Sequence, residues 1–338
     1  MKFKTLIIFL VITLGILHLI WYFTSTTCVD QPPPKESMIE AFYRQPFKKY
    51  DTNIHGLEIE QRNLNANGFR IHMDILEYGK GYPTVVFVPG TGVYAQFYKD
   101  FLESLRNRGF NVIGFDPRGH GRSSGLRGDY TLNELVDDAL AVVAYARERF
   151  GWNVSIAGSS QGGIVAFYAA ARDETLVAAI CHNIAVMNGR DNLVLSTLKV
   201  PEQVIPLLQK VMPIYGNFVV PLSLYLDLSQ EELKGNIDAK TYMDSDPLCV
   251  RWITVRALQS LLKTDMARPV EEITVPIMLI HSDGDNIFPQ DYVEGIYDRL
   301  TCQKNYFLLE KAEHLVMINN VPEIIDPVTG WLRTITNY

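Results

Sequence analysis

No two cysteines of this chain stand close together. Cys28, Cys181, Cys249 and Cys302 form no C-x-x-C pair, which argues against a zinc site of the finger type. A chain of 338 residues does not need disulfide staples to hold its core, so the four read as mostly buried thiols. A basic stripe is also missing. The net charge is −7, and nucleic acid is not expected as a partner. The glycine-rich stretch at 158–163 is not followed by Gly-Lys-Ser/Thr, which disfavours a phosphate loop. Internal repeats and low-complexity runs are absent, and no motif calls for a cofactor or a metal. What remains, 47% hydrophobic and 20% charged, is the profile of a globular protein with a sizeable core.

Formal charge is missing from one further place. TLIIFLVITLGILHLIWYF (5–23) runs 19 residues without any. As a helix it spans about 28 Å, close to the hydrocarbon thickness of a bilayer. Trp21 and Tyr22 fall at its end, where an aromatic belt sits. Lys2 and Lys4 precede the run and no lysine follows directly, which places the N-terminus in the cytoplasm. The rival is a cleaved signal peptide and a secreted protein, but the run exceeds the usual apolar core of such peptides and no A-x-A-like site follows. Thr27 before Cys28 also fits a lipoprotein cleavage site poorly. Residues 1–28 are therefore expected to be a signal anchor of a single-pass membrane protein, with the bulk of the chain on the non-cytoplasmic side.

Residues 29–56 read as a linker and juxtamembrane segment. Pro32, Pro33 and Pro34 favour a stiff polyproline II spacer. MIEAFYRQPFKKYDT follows, and Pro46 would interrupt an amphipathic helix on the membrane surface, so packing on the domain is expected. LEIEQRNL and RIHMDILEY then alternate apolar and polar residues around NANG, a hairpin signal. TVVFV (84–88) is a continuous apolar run of the kind buried on both faces. NVIGF (111–115), NVSIA (153–157), LVAAICH (176–182), PIMLIH (276–281) and NYFLLE (305–310) look alike. The clearest helix between them is TLNELVDDALAVVAYARERF, where Leu132, Leu135, Val136, Ala139, Val143 and Ala146 share a face and Thr131 and Glu134 have capping-box spacing. Strands alternating with helices predict a mostly parallel sheet covered on both sides. The alternation breaks over 186–264, where VPEQVIPLLQKVMPIY, VVPLSLYLDL and VRWITVRALQSLLK read as helical. This predicts a helical cap inserted between a first core part, 57–185, and a second, 265–338.

The stretch VSIAGSSQGGIVAFY carries the chemistry. In the G-x-S-x-G register the central residue is Ser160; centring on Ser159 would need glycines at Ala157 and Gln161. A strand precedes it and a helix follows, the setting of a strained turn that lifts a nucleophilic hydroxyl above a sheet. Serine at its ordinary pKa needs a base oriented by an acid. Downstream of Ser160 there are three histidines. His182 and His281 lie in or at the end of strand patterns and read as core imidazoles. His314, in the loop after the last strand, is the candidate base. Asp283 and Asp285 are the candidate acids in the loop after the preceding strand, and Asp285, followed by Asn-Ile-Phe-Pro, is favoured. The amide of Gln161 and that of Thr91, in the VPGTG loop after TVVFV, are the candidate oxyanion donors.

Four motifs in this order, VPGTG, DPRGHGRSSG, GSSQGG, and SDGDNIFP with AEH, make the chain from about residue 57 onward resemble an α/β-hydrolase. It is similar to the branch holding monoacylglycerol lipases, lysophospholipases and serine aminopeptidases. Pro89-Gly90 departs from the His-Gly of many relatives, at a position outside the catalytic three. The resemblance implies an α/β-hydrolase fold and a Ser160–Asp285–His314 triad acting through an acyl-enzyme, with Arg118 and His120 bracing a structural loop. The apolar, cation-poor cap and the membrane tether favour a lipid-like ester as substrate, of monoacylglycerol or lysophospholipid type. A serine aminopeptidase is the nearest rival; it needs a cap carboxylate for the substrate amine, and Glu202, Glu231, Glu232 and Asp244 are available. A silent scaffold that binds a ligand or partner is the third reading.

Overall fold

A computed structural model describes residues 13–19, 33–44, 58–188, 193–194 and 210–338. Six strands come first: β1 (Glu60–Ala66), β2 (Phe69–Leu76), β3 (Thr84–Val88), β4 (Asn111–Asp116), β5 (Val154–Ser159) and β6 (Ala179–His182). An insertion carries β7 (Val219–Pro221), β8 (Glu232–Leu233), β9 (Ile237–Asp238) and β10 (Trp252–Thr254), and β11 (Ile277–Ser282) and β12 (Lys304–Leu309) follow it. Eight strands build one sheet in the order β1-β2-β4-β3-β5-β6-β11-β12. The β1–β2 and β2–β4 pairs are antiparallel, and the rest are parallel. The β1–β2 turn places Asn67 and Gly68 at φ 52° and 81°, the left-handed pair that a two-residue hairpin needs.

The helices are α1 (Glu36–Tyr43), α2 (Lys99–Asn107), α3 (Leu132–Phe150), α4 (Gln161–Arg172), α5 (Ala239–Ser245), α6 (Val255–Lys263), α7 (Gln290–Arg299), α8 (Val316–Asn319) and α9 (Val321–Thr336). They cover both faces, so alternate residues of each central strand feed two different cores. Val86, Val88, Ile113 and Ile156 pack with α3 and α4. Val85, Phe87, Val112 and Ala157 pack with α2 and α9. The six apolar residues expected on one face of α3 are all buried. Its capping box is formed: Thr131 accepts from the Glu134 amide and Glu134 accepts from the Thr131 amide.

The DPRGHGRSSG loop is braced from within. Arg118 donates through its backbone N and Nε to Asp138 Oδ2 and through its guanidinium to Oδ1, at 2.6–3.0 Å. His120 Nδ1 lies 3.0 Å from the Arg118 carbonyl. Packing of the segment after the proline run is also seen: α1 buries Ile39 and Phe42 in the core, and the Tyr43 hydroxyl meets that of Tyr94 at 2.5 Å.

The insertion departs from the helical expectation. VVPLSLYLDL forms strand β7, paired with β10, and then a 3-10 turn, Leu222–Leu224. Pro221 removes an amide donor, and Val219 and Val220 are β-branched, so the leucines behind them do not make a helix. In VRWITVRALQSLLK, Trp252–Thr254 are β10, and α6 starts only where Thr254 caps it by accepting from the Ala257 amide. Residues 200–209 of VPEQVIPLLQKVMPIY lie outside the described residues. So does most of the apolar stretch 5–23. Residues 13–19 of it are helical, and the His18 ring stands 4.9 Å from that of Tyr215 in the insertion. No helix among the described residues is long and apolar enough to cross a membrane. Of the cysteines, Cys181 and Cys249 are buried, Cys302 is half-buried and all three are free; Cys28 falls outside the described residues.

Candidate active site

Strand β5 stops at Ser159 and α4 starts at Gln161. Between them Ser160 adopts φ 55°, ψ −119°, a left-handed conformation that costs a residue with a Cβ. The neighbours impose it. A Cβ on Gly158 would fall on the Gly162 carbonyl oxygen. One on Gly162 would strike the Val88 carbonyl and come within 2.5 Å of that of Pro89. One on Gly163 would strike the His182 carbonyl and lie 2.6 Å from that of Asn183. The turn is thus wedged between the ends of β3 and β6, and the Ser160 amide donates to the His182 carbonyl at 2.8 Å. β3 and β5 are neighbours although β4 lies on the other side of β3, so Ser160 sits where the strand order reverses, a place where open α/β sheets bind ligands.

Two loops from the later strands reach this turn. After β12, the chain turns through Lys311 at φ 59° and presents His314, whose Nε2 is 3.0 Å from Ser160 Oγ. After β11, Asp285 folds back so that its Oδ2 is 2.8 Å from His314 Nδ1. The amides of Ile287 and Phe288 donate to Asp285 Oδ1, each at 2.9 Å, and Asn183 Nδ2 donates to Oδ2 at 2.8 Å. Burial alone would raise this carboxyl, but the adjacent His314 and these donors outweigh it and hold Asp285 well below the usual carboxylate range. A carboxylate acceptor puts the proton of His314 on Nδ1 and leaves Nε2 open to the serine. The Phe288 ring lies parallel to the imidazole, 5.6 Å between centroids. Asp283 is engaged elsewhere, accepting from the Lys311 amide at 2.6 Å.

Ser159 also meets a histidine: its Oγ is 3.0 Å from His182 Nδ1. That pair lacks an acid, because among the described residues His182 Nε2 has no partner, and burial pushes His182 down to about 3. His281 contacts Asn183 through Nδ1. Both behave as core imidazoles. Ligand atoms of His182, Asp285 and His314 lie within 4.8 Å of one another, yet His314 and Asp285 spend theirs on each other and on Ser160. A lone free imidazole nitrogen does not make a metal site.

The VPGTG loop closes the other side. A Cβ on Gly90 would lie 3.5 Å from that of Ser160 and 2.7 Å from the Tyr98 hydroxyl, so only glycine lets the loop lie this close. Thr91 and Gln161, the expected donors, flank Ser160 and line a cavity with it. That cavity is walled by Ile164, Leu193, Val194, Leu261, Ile287 and Phe288. A second apolar cavity also starts at Thr91 and Ser160 and runs under Val93, Phe97, Leu228, Met243 and Ile318. A larger groove of about 380 Å³ on the insertion touches neither Ser160 nor His314. The sequence reading missed Asn183, Phe288 and Tyr225. Asn183 at φ 69° follows a strand end, and Tyr225 sits in a misread stretch, so neither had a local signal; Phe288 lay inside the quoted DNIFP.

Of the acidic residues considered in the cap, Glu202 is outside the described residues, Glu232 is exposed and Asp244 pairs with Lys240 at 2.7 Å. Glu231 is 1% exposed. Burial raises its carboxyl, while the backbone N–H and the ring of the neighbouring His314 oppose that rise.

Known proteins resemble this chain. The family described as serine aminopeptidase, S33, matches residues 80–320. The human serine hydrolase BPHL is 30% identical over 77% of this chain and 82% of its own length. A monoacylglycerol lipase of Mycolicibacterium smegmatis is 23% identical over 73% of this chain and 87% of its own. Among solved structures, a soluble variant of monoglyceride lipase from Saccharomyces cerevisiae superposes with a TM-score of 0.67 at 14% identity, over 86% of this chain and all of that one. With a strained serine turn at the sheet's switch point and a family match over most of its length, this chain belongs to the α/β-hydrolase superfamily and is one of its serine hydrolases.

Proposed function

We propose that the chain hydrolyses carboxylic esters with lipid-like acyl groups, using Ser160 as nucleophile, His314 as base and Asp285 as its orienting acid. The observation that carries this reading is the unbroken chain Asp285 Oδ2–His314–Ser160 Oγ, at 2.8 and 3.0 Å, opening onto two apolar cavities. Ser160 Oγ attacks the carbonyl carbon while His314 Nε2 takes its proton. Asp285 stabilises the imidazolium. The amides of Thr91 and Gln161 hold the oxyanion. Collapse expels the alcohol, which takes the proton from His314. Water then attacks the acyl-enzyme, passing its proton to His314, and the carboxylic acid leaves with Ser160 restored.

Two cavities at one serine suit a substrate with apolar matter on both sides of its carbonyl, and the relatives named monoacylglycerol and monoglyceride lipase act as further support. In this reading residues 57–185 and 265–338 are the catalytic core and 186–264 the cap. Residues 1–28 anchor the chain in a membrane, with 29–56 as spacer and the catalytic domain on the non-cytoplasmic face.

One observation favours an aminopeptidase as second reading: Glu231 brings a cap carboxyl to His314. It lines neither cavity, which is why the ester reading stands first. A panel of p-nitrophenyl esters, monoacylglycerols, lysophospholipids and aminoacyl amides, run on wild type and Ser160→Ala, tests both. Ester turnover lost in the variant is expected. Amide turnover above ester turnover would replace the first reading with the second, and equal ester turnover in both proteins would refute either.

A further inference from the structure

Tyr225 enters the Ser160 cavity from the insertion. It follows the 3-10 turn Leu222–Leu224, and its amide donates to the Leu222 carbonyl at 3.1 Å, which fixes its backbone. The side chain joins Thr91, Ser160 and Gln161 in lining the cavity. Although the residue is only half-buried, its hydroxyl is fully buried and has no hydrogen-bond partner among the described residues. The hydroxyls of Tyr130 and Thr91 stand close enough to interact with it, but neither meets the distance and angle of a hydrogen bond. Tyr130 is engaged by the Gln161 amide group, Nε2 to Oη at 3.2 Å.

An unpaired buried hydroxyl costs a fold stability, and such groups in native proteins call for an explanation. A phenol can donate one proton, and the resting site offers nothing well placed to take it. Its neighbours say what it awaits. Thr91 carries one proposed oxyanion donor. Tyr130 connects to Gln161, which carries the other. The hydroxyl therefore sits among the side chains of the residues that carry the proposed oxyanion donors, or one bond away from them. Resting on the ester-hydrolase reading above, we infer that the Tyr225 hydroxyl is a third donor to the oxyanion, supplied by the cap and not by the core. It keeps its proton throughout. Burial raises the phenol well above its ordinary range, so it donates a hydrogen bond without transferring the proton. A donor fixed in place before reaction favours the charged intermediate over the neutral ester, so its effect falls on kcat.

Tyr225→Phe in the full-length chain tests this, beside wild type and Ser160→Ala. Loss of an oxyanion donor lowers kcat about 10²- to 10³-fold. KM for a p-nitrophenyl ester is expected to stay within about threefold. Affinity for a trifluoromethyl ketone, which forms the tetrahedral adduct, falls in step with kcat. The thermal midpoint stays level or rises, because the variant no longer buries an unpaired hydroxyl. A variant with wild-type kcat overturns the inference, as does one whose lost activity comes with a lowered midpoint and undiminished ketone affinity. The parent reading fails separately: a wild-type chain that hydrolyses no ester overturns both. Active wild type and inactive Ser160→Ala beside fully active Tyr225→Phe overturn the third donor alone.

Discussion

Asp285→Asn removes one charge and keeps nearly the same shape. The carboxylate takes four donors: His314 Nδ1 and Asn183 Nδ2 on Oδ2, and the Ile287 and Phe288 amides on Oδ1. An asparagine has one oxygen to share among them. If that oxygen stays with the two loop amides, its NH₂ faces two groups that also donate. His314 can relieve the conflict by moving its proton to Nε2, but that nitrogen then donates to Ser160 and cannot accept from it. The wrong tautomer costs about 10³–10⁴ in kcat, or about 4–5.5 kcal/mol of transition-state stabilisation. Asn183 Nδ2 loses its acceptor while its Oδ1 keeps His281, at about 1–3 kcal/mol of stability. The assay is kcat/KM on a p-nitrophenyl ester, with urea unfolding on the same samples. Asn183→Ala leaves three of the four bonds and is expected to cost less than about tenfold in rate. An Asp285→Asn protein within about tenfold of wild type would refute this account of the base.

Other consequences are as direct. Burial pushes His120 down to about 4, from an ordinary 6.5. The unfolded chain therefore takes up that proton first on acidification. This contribution to stability is intact above 6.5 and is lost as pH falls toward about 4, up to about 3 kcal/mol in all; His120→Gln should flatten urea-unfolding free energies over that window. Gly162→Ala drives a methyl into the Val88 and Pro89 carbonyls and should lower kcat/KM by more than about 10²-fold, whereas Gly330→Ala, in α9 with open space around it, should raise stability by about 0.5–1 kcal/mol. A neutral Gly162→Ala would show the turn to be looser than described. Asp138→Asn takes from buried Arg118 the nearer of two carboxylates, leaving Glu134 at 3.3 Å, and should cost about 1–3 kcal/mol in thermal or urea unfolding; a loss under 1 kcal/mol, roughly the worth of a surface pair, would contradict that burial.

The core sheet was legible because buried parallel strands must be continuous apolar runs, as TVVFV and PIMLIH are. The serine turn was legible because only small residues fit between β3 and β6, so GSSQGG carries its own geometry. His314 and Asp285 followed from their loops. The insertion was not legible. Its leucines suit a helix and a half-buried strand equally, and the outcome turned on Pro221 and on pairing with β10, more than 30 residues away. Asn183 and Tyr225 escaped for a different reason. Their contacts to Asp285 and to the Ser160 cavity exist only once distant segments meet, and no local pattern announces them.

The most direct test of the central claim is the site of covalent capture. Folded protein treated with a fluorophosphonate, digested and mapped by mass spectrometry should carry the adduct on Ser160, one per chain, and Ser160→Ala should carry none. An adduct on Ser159, or none on the folded wild type, would contradict the account.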